Sequence, residues 1–327
     1  MTVGEALAAY FRARIDEPKS NDAPDVAEAK RRNAGSRRYL TTLFATDAAG
    51  TDLRGLPLGY VGRLTRADVR DRRRKLLASK GVPTVNRCTS YFSAFLTWAM
   101  DELEGLESNP LAGLRREAGE QEAPREVVAS PEELRAMWKA TGGAEIAVDF
   151  ARIWRLAVLT GMRRSEIAGL KVTDVQGDLI HVSRAKTDAG RRCVPMSDPA
   201  RQIVENAIAD KGDAGPYIFA TSTRGARPFG NFSKQASKLH ELAGLQRDVT
   251  LHDLRRGVVT RLAALGIDRT VVKLLVGHAR GDANARVYDQ HTYLREMRAA
   301  VDALAEDVGR VVSNSAGATQ GGGRIPV

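Results

Sequence analysis

The stretch TLHDLRRGVVTRLAALG, residues 250–266, has the pattern of an amphipathic helix. Apolar residues recur along it at three- and four-residue steps, the spacing of one helix face. His252 and Arg255 are three positions apart, so a helix places both side chains on one face, where both can reach a single phosphate. The spacing alone is weak evidence for a site, because arginine is common in this chain. The stretch predicts a helical domain with a candidate anion-binding face.

A second candidate lies upstream, in LTGMRRSEIAGL, residues 159–170. Gly161 favours the end of one helix, and Ser165 and Glu166 favour the start of another. Arg163 is therefore expected near a helix N-terminus, where backbone amides already favour an anion. The alternative is an exposed arginine at an ordinary junction between two helices.

A lysine lies between these two stretches, in the one region that is not predicted to be helical. Residues 179–183 and 192–195 have the pattern of two short strands on either side of the turn sequence Thr187–Gly190. This predicted hairpin carries Lys186, for which an ordinary edge-strand lysine is the alternative.

Two more candidate side chains follow further along the chain. His278 comes directly after Leu-Val-Gly at a predicted helix end, where a capping or buried histidine is the alternative. Tyr288 lies in ARVYDQHTYL, residues 285–294, where a half-buried helix tyrosine is the alternative. The evidence for a site is the whole set in one domain, namely Arg163, Lys186, His252, Arg255, His278 and Tyr288.

Charge and composition narrow the class of protein. The 327 residues include 50 Lys and Arg against 40 Asp and Glu, a net charge of +10, which favours a polyanionic partner such as nucleic acid over a merely soluble basic surface. Cys88 and Cys193 have neither disulfide-scaffold nor zinc-site spacing. No uncharged run approaches the ~20 apolar residues of a membrane span. We therefore expect a cytoplasmic protein, associated with the nucleoid if it binds DNA.

Familiar nucleotide and metal motifs are missing from the sequence. It contains no GxxxxGK[ST] loop, no HExxH and no G-x-S-x-G. It also contains no dedicated carboxylate cluster for magnesium. We therefore expect no cofactor and no metal.

The sequence predicts two domains. Residues 1–115 are expected to form a helical DNA-binding domain, 116–129 a charged linker, 130–312 a mostly helical second domain with a small antiparallel hairpin or sheet, and 313–327 a disordered tail. Ser130, Pro131 and Glu133 have the pattern of a helix start. A basic stretch in the first domain is either a DNA-facing surface or a solvated helix face. Its candidate DNA-binding residues, with one from the next helix, are Arg63, Arg66, Arg70, Arg73, Arg74, Lys75 and Arg87.

Five blocks of the second domain, in order, resemble the catalytic domain of the tyrosine recombinases, also called the phage integrase family. The resemblance covers about residues 130–312, and a weaker one links the first domain to the family's helical core-binding domain. The matching blocks are TGMRRSEIAGL, the lysine of RAKTDAGRRCVPM, LHDLRRGVVTRLAALG, LLVGHA and ARVYDQHTYL; in the first domain they are LTRADVRDRRRKLLASKG, TVNRCTSYFSAFLTWAM and SNPLAGL.

The resemblance implies a role for each candidate residue. Tyr288 attacks the scissile phosphate and forms a 3'-phosphotyrosyl link, while Lys186 protonates the departing 5'-oxygen. His252 is the candidate base. The remaining residues bind the phosphate or orient the site, and these are Arg163, Arg255, His278 and Glu166. Tyr293 is the alternative nucleophile, because the spacing from His278 to Tyr288 is one residue longer than is commonest in the family.

The resemblance also implies the partners. The expected substrate is double-stranded DNA at attachment sites, bound by a homo-tetramer that is a monomer when free, with possible DNA-bending or directionality factors and no membrane. A prophage or genomic-island integrase is the first choice. The alternatives are a chromosome-dimer resolvase, a type IB topoisomerase and a non-catalytic DNA-binding protein. A last helix, predicted over 295–312, docks either on a neighbouring protomer or on its own domain.

Overall fold

The computed structural model describes residues 1–16, 39–40, 59, 65–114, 122, 126–182, 191–220, 227–278 and 293–313. The chain divides into two compact units, Met1–Pro124 and Arg125–Val327. The division falls within residues 116–129, the segment that the sequence predicts to be a linker. The tail predicted to be disordered lies, from residue 314 onwards, outside the described residues.

The described part of the first unit is helical. A capping box starts the first helix: Thr2 N–H donates to Glu5 Oε2 at 2.8 Å, and Glu5 N–H donates to Thr2 Oγ1 at 3.2 Å. Apolar side chains from the first and last helices pack together with Leu40 as a core. The helices are α1 (Val3–Phe11), which continues as a π-helical turn over Arg12–Asp16, α2 (Arg66–Leu77) and α3 (Val82–Glu102).

The described part of the second unit is also mainly helical, with three short strands between its helices. Its first helix starts as the sequence predicts, with Ser130 and Glu133 forming a capping box around Pro131. In chain order the elements are α4 (Pro131–Ala140), α5 (Val148–Thr160), α6 (Arg164–Ala168), β1 (Val175–Gln176), β2 (Leu179–Val182), β3 (Arg192–Pro195), α7 (Asp198–Lys211), α8 (Phe232–Leu242), α9 (Leu251–Ala264), α10 (Arg269–Val276) and α11 (Leu294–Ser313).

The central element of the second unit is α5. Phe150, Ile153, Trp154 and Leu159 are all at most 2 % exposed, so this helix is buried on nearly every side. It packs against α7, α9 and α11. It also contacts α6, so two of the elements that carry candidate site residues, α6 and α9, are held against this central helix.

The sheet is antiparallel, with strand order β1-β2-β3. Leu179 pairs with Pro195 and Val182 pairs with Arg192, which is the predicted hairpin. The sequence did not predict β1, because two residues are too few to show an alternating pattern. The mainly helical fold with a small antiparallel sheet is confirmed.

The last helix, α11, packs on its own unit. Met297, Val301, Leu304 and Val308, the apolar positions identified in the sequence, are all buried. The helix contacts α4, α5, α9, α10 and β3. Arg261 Nη1 also lies 2.8 Å from Asp307 Oδ2, which ties α11 to α9. Of the two arrangements left open by the sequence, the structure has packing in cis.

Truncating Leu304 to alanine tests this packing. Leu304 is fully buried, so Leu304→Ala should lower the free energy of unfolding by about 2–5 kcal/mol in urea denaturation. The matched control is Glu306→Ala in the same helix, whose exposed side chain should change stability by less than about 0.5 kcal/mol. Equal, small effects of both variants would show that α11 does not pack on its own unit.

Candidate active site

Arg163 is placed at the start of α6 by a tight break between two helices. α5 ends at Thr160, and Gly161, with φ +64°, turns the chain so that Arg163 precedes α6. A Cβ atom on residue 161 would lie 2.9 Å from Val258 Cγ1, so the backbone and the packing both require glycine. The helix break predicted from the sequence is observed at this position.

Glu166 and a carbonyl group fix the direction of the Arg163 side chain. The Arg163 backbone N–H donates to Glu166 Oε2 at 2.9 Å, and its Nη1 donates to Glu166 Oε1 at 2.7 Å. Its Nη2 donates to the carbonyl oxygen of Gly277 at 2.9 Å. The side chain remains 40 % exposed, so this guanidinium is oriented and still accessible to an anion.

Arg255 lies deeper than Arg163 and is only 4 % exposed. Its Nη1 donates to the carbonyl oxygen of Gly161 at 2.7 Å, and its Nη2 donates to that of Val276. Burial, reinforced by the charge of Arg163, lowers the pKa of the Arg255 guanidinium to about 10. The group therefore remains positively charged at neutral pH.

A third arginine, Arg192, was not identified from the sequence. Its side chain is only 7 % exposed, and its Nη2 lies 2.9 Å from Glu166 Oε2. Its Nε donates to the carbonyl oxygen of Leu275 at 2.8 Å. The sequence offers only a weak signal, because the alternation of a strand places residue 192 on the same face as the apolar Val194 without naming a partner. A charge at a core-facing strand position requires a buried partner.

The three arginines meet at the C-terminal end of α10. Three successive carbonyl groups, those of Leu275, Val276 and Gly277, each accept a hydrogen bond from a different arginine. The last carbonyls of a helix have no partner within it and carry partial negative charge, so they suit guanidinium donors. The helix end therefore gathers positive charge from α6, α9 and β3 at one place.

The same helix end positions His278. Gly277 has φ +67° and its N–H donates to Leu274 O at 3.1 Å, while His278 N–H donates to Lys273 O at 2.9 Å. This is the double hydrogen bond of a Schellman motif, which ends a helix in a fixed geometry. The predicted helix end before His278 is thus observed.

Both candidate histidines have lowered pKa values. Each residue is exposed to solvent over part of its surface and shielded from it over the rest. Partial burial and the charge of Arg256 lower the pKa of His252, and partial burial and the charge of Arg255 lower that of His278. Both imidazoles are thus mainly neutral at pH 7. Arg163 contributes to the lowering at both histidines, so these side chains are close enough to influence one another.

Glu166 is charged although its side chain is only 4 % exposed. Burial by itself would raise the pKa of its carboxyl group. The hydrogen bonds and the charge of Arg192, together with the hydrogen bonds of Arg163, outweigh burial and hold the pKa below its ordinary value. The carboxylate therefore acts as an internal anion shared by two arginines.

The structure brings together the candidate residues Arg163, Glu166, His252, Arg255 and His278, with Arg192 added. Lys186 and Tyr288, the candidate acid and nucleophile, lie outside the described residues. Tyr293, the alternative nucleophile, is described; it is partly buried and packs against the core, with φ 53°.

The candidate DNA-binding residues of the first unit differ in exposure. Arg73 is only 4 % exposed, with its guanidinium bound to Asn86 Oδ1 at 3.0 Å and to Thr89 Oγ1, so it holds α2 against α3 inside the unit rather than facing solvent. Arg63 lies outside the described residues. Those that are exposed or half-buried are Arg66, Arg70, Arg74, Lys75 and Arg87.

The described part of the chain has neither a metal-binding cluster nor a membrane-spanning helix. No three His, Cys, Asp or Glu side chains there are grouped closely enough to hold a metal ion. Among the described helices, none combines the length and the apolar character needed to cross a bilayer.

A family model described as the phage integrase family matches residues 128–295, which is just over half of the chain and includes every residue of this site. The chain belongs to this family. The tyrosine recombinase prediction is thereby confirmed, and with it the prediction of an enzyme that cleaves and rejoins DNA strands in site-specific recombination.

Curated relatives are similar over different lengths of this integrase-family chain. Tyrosine recombinase XerA of Pyrococcus furiosus is 31 % identical over 138 residues, 38 % of this chain and 46 % of that protein. Tyrosine recombinase XerC of Mycobacterium tuberculosis is 28 % identical over 228 residues, 66 % of this chain and 74 % of that protein. XerC of Mycobacterium sp. strain JLS is 26 % identical over 84 % of this chain and 91 % of its own length.

Solved structures show the same fold. The integrase of transposon Tn1549 in complex with circular intermediate DNA is 19 % identical and has a TM-score of 0.60, covering 91 % of this chain and 98 % of that one. A lambda integrase dimer bound to a COC' core site is 18 % identical with a TM-score of 0.63, covering 88 % and 77 % of the two chains.

Adding a methyl group at residue 277 tests the packing at the end of α10. A Cβ atom there would lie 2.5 Å from Arg192 Nη1, in addition to the strain of a left-handed backbone, so Gly277→Ala should lower the free energy of unfolding by more than about 1–2 kcal/mol. Gly244→Ala is the matched control, because Gly244 has φ +64° with no neighbour within 4 Å. This variant should therefore lose only the stability that the left-handed backbone costs, which is less than the loss in Gly277→Ala. Equal losses in the two variants would mean that Arg192 does not occupy this position.

Proposed function

We propose that this integrase-family chain cleaves and rejoins DNA with Tyr288 as the nucleophile. The cationic cluster of Arg163, Arg192 and Arg255 would lie beside the scissile phosphate. The observation that carries the assignment is the convergence of Arg163 and Arg255 with two mainly neutral histidines at one helix end. Family membership supplies the reaction class, and the geometry supports these residue roles.

The arginines would stabilise the transition state by their charge. Phosphoryl transfer concentrates negative charge on the non-bridging oxygens, and fixed cations lower its energy without having to reorganise. Arg163 is accessible and oriented, so it makes the direct bidentate contact in this proposal. Arg255 lies beneath it and adds its charge from a nearly buried position.

His252 would act as the base. A tyrosine hydroxyl has a pKa of about 10, so at neutral pH it must lose its proton to a neighbouring group as it attacks. His252 is exposed on the same helix as Arg255, and its lowered pKa keeps the imidazole ready to accept a proton. His278 would donate a hydrogen bond to a phosphate oxygen from the end of α10.

The proposed step is balanced in bonds and protons. A bond forms between Tyr288 Oη and phosphorus, and the bond between phosphorus and the 5'-oxygen breaks. The tyrosine proton passes to His252, and Lys186 gives a proton to the departing 5'-oxygen. Rejoining is the reverse, with a 5'-hydroxyl attacking the phosphotyrosine, so the energy of the phosphodiester bond is retained.

The assembly and the domain roles belong to the same proposal. Two cuts on each of two duplexes require four active sites, so we propose a homo-tetramer on DNA, formed from free monomers. A lambda integrase tetramer is known in a structure with a Holliday junction. The unit Met1–Pro124 would bind the duplex through the exposed basic side chains of α2. Integration is the preferred biological role and dimer resolution the alternative, since both integrases and Xer recombinases are among the similar proteins.

Covalent trapping tests the nucleophile. The DNA is a duplex selected by the protein from a random pool and then nicked near each candidate cleavage position, so that the short 5'-hydroxyl fragment diffuses away. Wild type should accumulate a covalent protein–DNA adduct on denaturing gels, and Tyr288→Phe should form none. Tyr293→Phe is the control and should retain the adduct. An adduct with Tyr288→Phe that is lost with Tyr293→Phe would reassign the nucleophile.

The pH dependence of adduct formation tests the base. Because the pKa of His252 is below its ordinary 6.5, the midpoint of the acid limb, where the rate is half its plateau value, should lie below pH 6.5. Arg256 is one of the charges that lower this pKa, so Arg256→Gln should move the acid limb to higher pH. An acid limb above pH 6.5 in wild type, or one that Arg256→Gln leaves in place, would exclude His252 as the base.

A further inference from the structure

Arg192 is a nearly buried cation whose donors face the interior of the second unit. Its side chain is 7 % exposed, less than a fifth of the exposed fraction of the Arg163 side chain. Nη2 and Nη1 donate to the two carboxylate oxygens of Glu166 at 2.9 and 3.3 Å, and Nε donates to Leu275 O at 2.8 Å. A guanidinium held in this way is directed at its protein partners and not at DNA.

These partners connect three parts of the site. Arg192 is the first residue of β3, Glu166 lies in α6, and Leu275 lies in the last turn of α10. Glu166 in turn binds the backbone and the side chain of Arg163. Arg192 therefore reaches the exposed arginine through one shared carboxylate, and the carbonyl-lined helix end through its own Nε.

Arg192 also affects the net charge of the site. Arg163, Arg192 and Arg255 carry three positive charges, and Glu166 carries one negative charge, which leaves two positive charges in the cluster. Without Arg192, the buried carboxylate would rely on Arg163, and a tighter pair would draw that guanidinium away from the surface and offset its charge. Arg192 thus leaves Arg163 available for a phosphate.

We propose that Arg192 is a positioning residue for the cleavage reaction: it neutralises Glu166 and anchors the end of α10, and so keeps the Arg163 guanidinium oriented toward the phosphate. This inference rests on the proposed function, because it takes Arg163 as the phosphate-binding group. Arg192 itself makes no contact with DNA in this scheme.

The test is single-turnover adduct formation on the nicked duplex at saturating protein, with the Kd for the intact duplex measured separately. Arg192→Gln should slow adduct formation roughly 100-fold, the cost of a displaced catalytic group, while the Kd changes less than about threefold. Arg192→Lys keeps the charge but cannot bind Glu166 and Leu275 at the same time. Its rate of adduct formation should therefore lie between the rates of wild type and Arg192→Gln. Arg201→Gln is the matched control, since Arg201 forms exposed pairs with Asp198 and Glu205 and should react at the wild-type rate.

A double-mutant cycle separates action through Glu166 from an independent effect. Glu166→Gln should slow the reaction on its own, and the Arg192→Gln, Glu166→Gln double variant should be no slower than the slower single variant, within about threefold. Multiplying defects would overturn the proposal. The proposal would also be overturned if Arg192→Gln bound the intact duplex more weakly, with a salt dependence of the Kd reduced by about one phosphate contact. Arg192 would then bind DNA directly.

Folding and the reaction itself are controlled in the same series. Each variant is compared with wild type by thermal unfolding, and Arg192→Lys serves as the test variant if Arg192→Gln does not fold. A wild-type rate for the folded variant would overturn the positioning role. Failure of wild type to form any adduct, while it binds the duplex, would instead refute the proposed function.

Discussion

The site depends on the carbonyl groups at the end of α10. A helix leaves its last carbonyls without partners inside the helix, and in this unit Leu275, Val276 and Gly277 each give theirs to an arginine. The three arginines come from different elements, so this one helix end sets the relative positions of α6, α9 and β3. The Schellman turn that completes the helix also places His278 beside them.

This arrangement explains why backbone details far apart in sequence matter together. Gly161, whose carbonyl accepts from Arg255, must be glycine because its φ is +64° and a Cβ atom there would lie 2.9 Å from Val258 Cγ1. Gly277 must be glycine because its left-handed backbone ends α10 and Arg192 fills the space beside it. Neither glycine takes part in chemistry, yet each sets where a guanidinium can lie. The apolar packing of α5 and α11 then supports these ends from below.

Local signals predicted much of the fold and of the site. The capping box of Ser130 and Glu133 and the shared helix face of His252 and Arg255 depend on residues a few positions apart, so they were readable from the sequence. Arg192 was not, because its partners lie 26 and 83 positions away. Arg73 was misread as a surface charge for the same reason, since its burial depends on α3. Contacts between distant parts of the chain decide whether an arginine is buried or faces solvent, and the periodicity of the sequence predicts such contacts poorly.

The choice of acceptor is what allows a cluster of buried arginines to remain a cationic site. A carboxylate satisfies a guanidinium but cancels its charge, whereas a carbonyl oxygen satisfies the N–H groups and leaves the charge in place. Arg255 donates to the carbonyls of Gly161 and Val276, so burial does not neutralise it. Glu166 is the exception, and it is shared between two arginines. The structure therefore concentrates positive charge next to a surface where a phosphate can approach, and much of the hydrogen bonding that holds it there is to neutral backbone.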